Sequence, residues 1–231
     1  WNSGSSGTVI QGNYIGVGAD GTTALPNGGS GGSFGTEGGG ITIRNFILGT
    51  EIGGTVPGAG NIISNNAPYG IVDYSGTNTA IQGNTITNQY GVGVYLGGNS
   101  HAIGDNTIAS NGGAGVIIDS GNSKIRRNSI YANGGPDIDL GGDGVTFNHV
   151  GVIPGPNNYQ NYPVLDLATS DGVTTRILGR LDSEPDQDYI IDVFANETCH
   201  PTFFGGGKEY LGSFNVITDA SGYASFDQTI P

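Results

Sequence analysis

The chain has 231 residues, 45 of them glycine, and sets 20 acidic side chains against 7 basic ones for a formal net charge of −13. The glycines keep no G-X-Y period, which excludes collagen, and 35% apolar residues are enough to build a core, which excludes a disordered polymer. So acidic a chain, with no basic stripe and no run of ~18 apolar residues, is expected to bind no nucleic acid and to insert in no membrane.

The N-terminal part is built on a repeat, and repeats decide a fold before any single motif does. Ile10-Gln11-Gly12-Asn13-Tyr14-Ile15 returns almost unchanged as Ile81-Gln82-Gly83-Asn84-Thr85-Ile86, and Asn61-Ile62-Ile63 supplies another copy. Asn84, Asn106 and Asn128 then step by 22 residues. The same step links Ile81, Ile103 and Ile125; Ile86, Ile108 and Ile130; Val94, Val116 and Ile138; and Leu96, Ile118 and Leu140. Within each unit apolar residues alternate, as in Val94-Tyr95-Leu96, which is strand periodicity in segments too short for a helix. Units of this kind must stack strand on strand, filling one interior slot with each column, while asparagine and glycine turn the corners. The expectation is all-β: a right-handed parallel β-helix of about five or six rungs. Between Asn13 and Asn61 the sequence allows one rung with large insertions or two degraded rungs.

Composition changes near residue 151. Residues 1–151 hold 37 of the 45 glycines and are assigned to the β-helix. Residues 152–163, rich in proline and asparagine, read as a connector. Residues 164–231 carry strand patterns at Val164–Thr169, Thr174–Leu181, Asp188–Phe194, Glu209–Thr218 and Ala224–Ile230, with turn signals at Asp171-Gly172 and Asp219-Ala220-Ser221-Gly222. Five strands in so short a stretch predict a small immunoglobulin-like β-sandwich, incomplete against the usual seven. Cys199 is the sole cysteine, so no disulfide forms within the chain. The chain opens without methionine and without a signal-peptide pattern, and reads as a processed form or a segment of something longer.

The motifs resemble a known class. Gly7-Thr8-Val9-Ile10-Gln11-Gly12-Asn13-Tyr14-Ile15-Gly16, Gly53-Gly54-Thr55-Val56-Pro57-Gly58-Ala59-Gly60-Asn61-Ile62-Ile63-Ser64 and Ile138-Asp139-Leu140-Gly141-Gly142-Asp143-Gly144-Val145-Thr146 carry the likeness in the first part. Gly155-Pro156-Asn157-Asn158-Tyr159-Gln160-Asn161-Tyr162-Pro163-Val164-Leu165 and Thr218-Asp219-Ala220-Ser221-Gly222-Tyr223-Ala224-Ser225-Phe226 carry it in the second. They resemble secreted bacterial proteins with right-handed parallel β-helix repeats of the pectate-lyase-like type, followed by an immunoglobulin-like module. The resemblance implies an extracellular or cell-surface setting and a class that spans enzymes, adhesins and fibre or surface-layer components. It also implies a sandwich continuing for roughly two strands beyond the position of Pro231.

Several residues are candidates for chemistry. Glycoside hydrolysis needs two carboxylates across the scissile bond, and Asp119, Asp137, Asp139 and Asp143 are the acids from neighbouring rungs. A lyase needs a basic proton abstractor, for which Lys124, Arg126 and Arg127 stand one unit from Asp105. The competing reading of Asp105 and Arg127, aligned at the 22-residue step, is a stacked ion pair. Asp137, Asp139 and Asp143, with Asn148 as an amide ligand, resemble half of a calcium loop, so calcium is the cofactor to test. His101, His149 and His200 keep no metal-ligand spacing. Thr85, Thr107 and Ser129 form one column of hydroxyls, too narrow for an ice-binding surface.

The functional expectation is a structural or adhesive module of an extracellular fibre or surface layer, with catalysis the lesser reading. Its partners would be copies of itself or adjoining modules, meeting at solenoid residues Trp1, Thr8, Val9 and Ile10 and sandwich residues Ala224, Phe226 and Ile230. The alternatives are a polysaccharide lyase or glycoside hydrolase, and a carbohydrate-binding solenoid without turnover that uses Tyr69, Tyr74, Tyr95 and Tyr131.

Overall fold

A computed structural model describes residues 6–28, 38–198 and 204–231. As far as Leu140 the chain winds into a parallel β-solenoid. Each rung gives three short strands, and like strands of successive rungs pair into three five-stranded sheets, about four turns of roughly 22 residues from first rung to last. The first face holds Val9–Ile10, Glu51–Gly53, Ala80–Gln82, His101–Gly104 and Ser123–Arg126. The second holds Tyr14–Ile15, Ile62–Ser64, Thr85–Thr87, Thr107–Ala109 and Ser129–Tyr131. The third holds Gly39–Ile43, Tyr69–Asp73, Val92–Leu96, Val116–Ile118 and Ile138–Leu140.

The register follows the 22-residue columns. Ile81, Ile103 and Ile125 pair side by side, as do Ile86, Ile108 and Ile130. Strand alternation sends these columns inward, where Ile81, Ile86, Ile108, Val94, Leu96, Val116 and Ile118 are fully buried. One rung with insertions occupies Asn13 to Asn61. Tyr14 and Ile15 pair directly with Ile62 and Ile63, and the Asn13 backbone N–H donates to Asn61 Oδ1 at 2.9 Å, which leaves no level for a second rung.

Two side-chain ladders turn the corners. Asn84, Asn106 and Asn128 stack beneath Asn61, each Oδ1 accepting from the backbone N–H of the asparagine above at 2.9–3.0 Å. The same asparagines donate Nδ2–H to the Ile52, Ile81 and Ile103 carbonyls at 2.8–2.9 Å, so the buried polar groups of the corner are paired. At the next corner Gln89, Asn111 and Asn133 continue downward from Asn66 in the same way. Beside that second ladder runs a glycine column, Gly40, Gly70, Gly93 and Gly115. A Cβ on Gly93 would lie 2.6 Å from the Gly115 carbonyl oxygen and 2.9 Å from Asn111 Nδ2.

The last rung departs from the pattern because, among the described residues, no further rung stacks beneath it. Ile138, expected in the core beside Val94 and Val116, is 46% exposed. Asp137 takes the place that glycine holds in the rungs above.

Beyond a short 3₁₀ turn at Pro156–Tyr159 come five antiparallel strands, each within two residues of its sequence-based bounds. Val164–Ser170, Thr175–Asp182 and Tyr223–Ile230 form a three-stranded sheet; Asp188–Ala195 and Glu209–Ile217 form a two-stranded one. Ile177, Leu181, Val216, Phe226 and Ile230 make their shared core, with Phe214 and Phe226 5.1 Å apart between ring centroids.

These sheets cover the lower end of the solenoid. Gly207 forms an antiparallel bridge with Ile130, and the Ile130 N–H donates to the Gly207 carbonyl at 2.8 Å. Arg126 makes a two-pronged ion pair with Asp192 at 2.8 and 2.7 Å. Asn157 of the 3₁₀ turn closes the first face by exchanging hydrogen bonds with the Ser123 backbone at 2.6 and 2.8 Å. Among the described residues no helix is long and apolar enough to cross a membrane.

Candidate functional site

The outer side of the third face carries a cluster of aromatic and charged side chains. Alternation turns Val72, Tyr95, Ile117 and Asp139 outward in one column, in register from rung to rung. Tyr69 opens the strand of Val72, and Tyr74 follows its end. The three tyrosines converge: the Tyr69 and Tyr95 ring centroids lie 5.5 Å apart, and Tyr74 and Tyr95 lie 5.9 Å apart, both pairs tilted by 51°. Val72 beneath them is fully buried, so the rings rest on a packed floor.

Polar groups rim the rings. The Arg44 guanidinium stands 5.1 Å from the centroid of Tyr74, in cation–π range. The Asp119 carboxylate lies near the Tyr95 hydroxyl; burial first, then this carboxylate, push the phenol well above its ordinary range. Two rungs below Tyr95 in the same column, the buried Asp139 accepts from the Gly142 and Gly144 N–H groups at 3.1 and 3.2 Å. Burial nevertheless raises its pKa above the usual carboxylate value. The arrangement pairs half-buried aromatic faces with a carboxylate near the Tyr95 hydroxyl and a guanidinium lying over the Tyr74 ring. Apolar rings stack on the C–H faces of a sugar while charged rims take its hydroxyls, and each tyrosine offers both kinds of contact.

Two of the three bases considered for catalysis are engaged elsewhere. Arg127 pairs with Asp105 through two bonds of 2.8 Å, the stacked pair anticipated from their spacing, and this holds the Asp105 carboxyl below its usual range. Arg126 is bound to Asp192. Lys124 is exposed.

The four residues considered for calcium do different work. Asp137 accepts from Asn133 Nδ2 and from the Gly206 N–H, both at 2.6 Å. Asn148 exchanges bonds with the Tyr162 backbone at 2.8 and 2.9 Å, and Asp143 is exposed. Among the described residues no group of three His, Cys, Asp or Glu side chains is arranged to hold a metal ion.

Of the residues considered for assembly, Thr8 and Val9 are exposed beside the half-buried Ile10, and among the described residues Val9–Ile10 pairs on one side only. Ala224, Phe226 and Ile230 are buried in the core shared by the C-terminal sheets, while their strand forms an edge of its sheet. Trp1, Cys199 and His200 lie outside the described residues. Tyr131 lies on the second face under Lys208, away from the other tyrosines.

Sequence reasoning missed the Asn66–Gln89–Asn111–Asn133 ladder, although Asn111 and Asn133 keep the 22-residue step. It also missed the buried Asp73, Thr79 and His101, which share no repeat identity.

A family model described as "Right handed beta helix region" matches residues 2–160, more than half of the chain. No curated protein matches it.

Proposed function

The chain belongs to the right-handed β-helix family, and from that premise we propose that it is a non-catalytic adhesive module that binds extracellular polysaccharide on its third face. The fold itself carries polysaccharide lyases, hydrolases and adhesins, so the surface chemistry must choose among them. The observation that carries the choice is the Tyr69–Tyr95–Tyr74 cluster, rimmed by Arg44 and Asp119. A lyase reading is weakened because Arg126 and Arg127 are committed to Asp192 and Asp105.

Such a module belongs outside the cell, secreted or attached to its surface. Copies of itself, or adjoining modules of a larger surface protein, would meet it at strands Val9–Ile10 and Tyr223–Ile230, each paired on one side among the described residues. The resemblance of the C-terminal sheets to an immunoglobulin-like module fits the same role.

The test is a glycan array probed with the native chain, run beside reducing-end and unsaturated-product assays on polyuronides and neutral glycans. Binding without product supports the reading. Product formation assigns the chain to the enzymes of this fold, and an array without binding removes the glycan altogether.

A further inference from the structure

Apart from the two corner ladders, one further column of buried polar side chains runs through the solenoid. Pairing on the first face sets Thr50 beside Thr79, Thr79 beside His101, and His101 beside Ser123. All four are buried. Asp73, fully buried at the end of a third-face strand, closes on the same column. Its Oδ1 accepts from the Ser75 and Gly76 N–H groups at 3.2 and 2.5 Å, and its Oδ2 from the Thr79 hydroxyl at 2.7 Å.

Three atoms of this column have no protein partner: Thr50 Oγ1, His101 Nδ1 and Ser123 Oγ. Among the described residues no other buried side-chain nitrogen or oxygen is in that state. Buried polar atoms are almost always paired, so three exceptions in one register column point to a shared cause.

The geometry at His101 specifies what is needed. His101 Nε2 lies 2.9 Å from the Gly97 carbonyl, which can only accept, so Nε2 carries a proton. Nδ1 then faces Asp73 Oδ2 at 3.8 Å, too far for a direct hydrogen bond in any protonation state. In the neutral ring both atoms are acceptors, and a neutral ligand that bonds the two must be small and must donate twice. Water meets these conditions, and it also serves isolated hydroxyls such as those of Thr50 and Ser123.

We infer that the Thr50–Thr79–His101–Ser123 column is an internal hydration site, with one ordered water bridging His101 Nδ1 to Asp73 Oδ2 and others bound to the Thr50 and Ser123 hydroxyls. Asp73 also holds the turn just after Tyr74.

A high-resolution crystal structure of the native chain tests this. The expected result is a solvent peak within hydrogen-bond distance of both Nδ1 and Oδ2. A direct Nδ1–Oδ2 bond, or contact with no solvent between them, overturns it. Oxygen-17 relaxation dispersion in solution provides the second reading. Thr50→Val should reduce the amplitude from long-lived internal water, and an unchanged amplitude with a raised melting temperature would mean that the hydroxyl was dry.

Discussion

Asp137 Oδ2 accepts a hydrogen bond from the Gly206 backbone N–H at 2.6 Å, joining the last rung of the solenoid to a loop 69 residues further along the chain. Its other oxygen accepts from Asn133 Nδ2, the bottom of the second ladder. In the rungs above, glycine is required at this position because the next rung passes too close for a Cβ. Where no rung follows, the space admits a carboxylate, and that carboxylate ties the cap to the ladder. Asp137→Ala removes both acceptors and should cost about 1–3 kcal/mol in urea unfolding. A cost below ~0.5 kcal/mol would mean that the cap is held without it.

The register itself is open to a paired test. Ile108 is fully buried, and its neighbour Thr107 faces outward. Ile108→Ala should cost about 2–5 kcal/mol through lost burial and a cavity, whereas Thr107→Ala should stay within ~0.5 kcal/mol. Equal costs, measured by denaturant midpoints, would exchange the two faces of the strand.

Much of this was legible in the sequence, and what was not has a physical reason. Asn84, Asn106 and Asn128 announce their ladder because one residue type repeats at one step. The second ladder mixes Gln89 with asparagines, since either amide can accept from the rung above, and so it leaves a fainter trace. The five C-terminal strands were readable from alternation and turns, but their division into three and two was not. Nor was the Arg126–Asp192 pair, because nothing local encodes a contact across 66 residues. The tyrosines were visible as exposed candidates; that Tyr69, Tyr74 and Tyr95 converge while Tyr131 does not depends on which face each strand joins. The polar column through His101 left a fainter trace, because Thr79, His101 and Ser123 keep the 22-residue step while an imidazole interrupts the hydroxyls.

Acid should destabilise the fold. Thr23 and Thr22 hold Asp20 down to about 2, and partners likewise lower Asp105, Asp171, Glu197, Asp219 and Asp227. A carboxyl lowered by folding stabilises the native state above its unfolded value, and that contribution is lost as pH falls through the folded value. Asp139, raised by burial, acts oppositely: its contribution is present in acid and lost as pH rises. Six groups against one predict a melting temperature that falls below pH ~4. A melting temperature that rises on acidification would contradict these pairings.

Chelation should leave the melting temperature unchanged. The oxygens of Asp137, Asp139 and Asn148 are used on backbone and side-chain N–H groups of the protein. A ligand that binds only the folded chain raises stability with its concentration, so excess EDTA exposes a bound calcium directly. A fall of several degrees would restore calcium at this loop.

The most direct test of the adhesive reading is calorimetric titration of the best array glycan into the native chain, Tyr95→Phe and Tyr95→Ala. Tyr95 packs against both other rings and sets its hydroxyl near Asp119. Removing the ring should weaken binding at least ~10-fold, as loss of a central aromatic anchor does. Tyr95→Phe keeps the stacking surface and should retain most of the affinity. Unchanged affinity in Tyr95→Ala, with the fold intact by circular dichroism, would contradict the assignment of the third face as the binding surface.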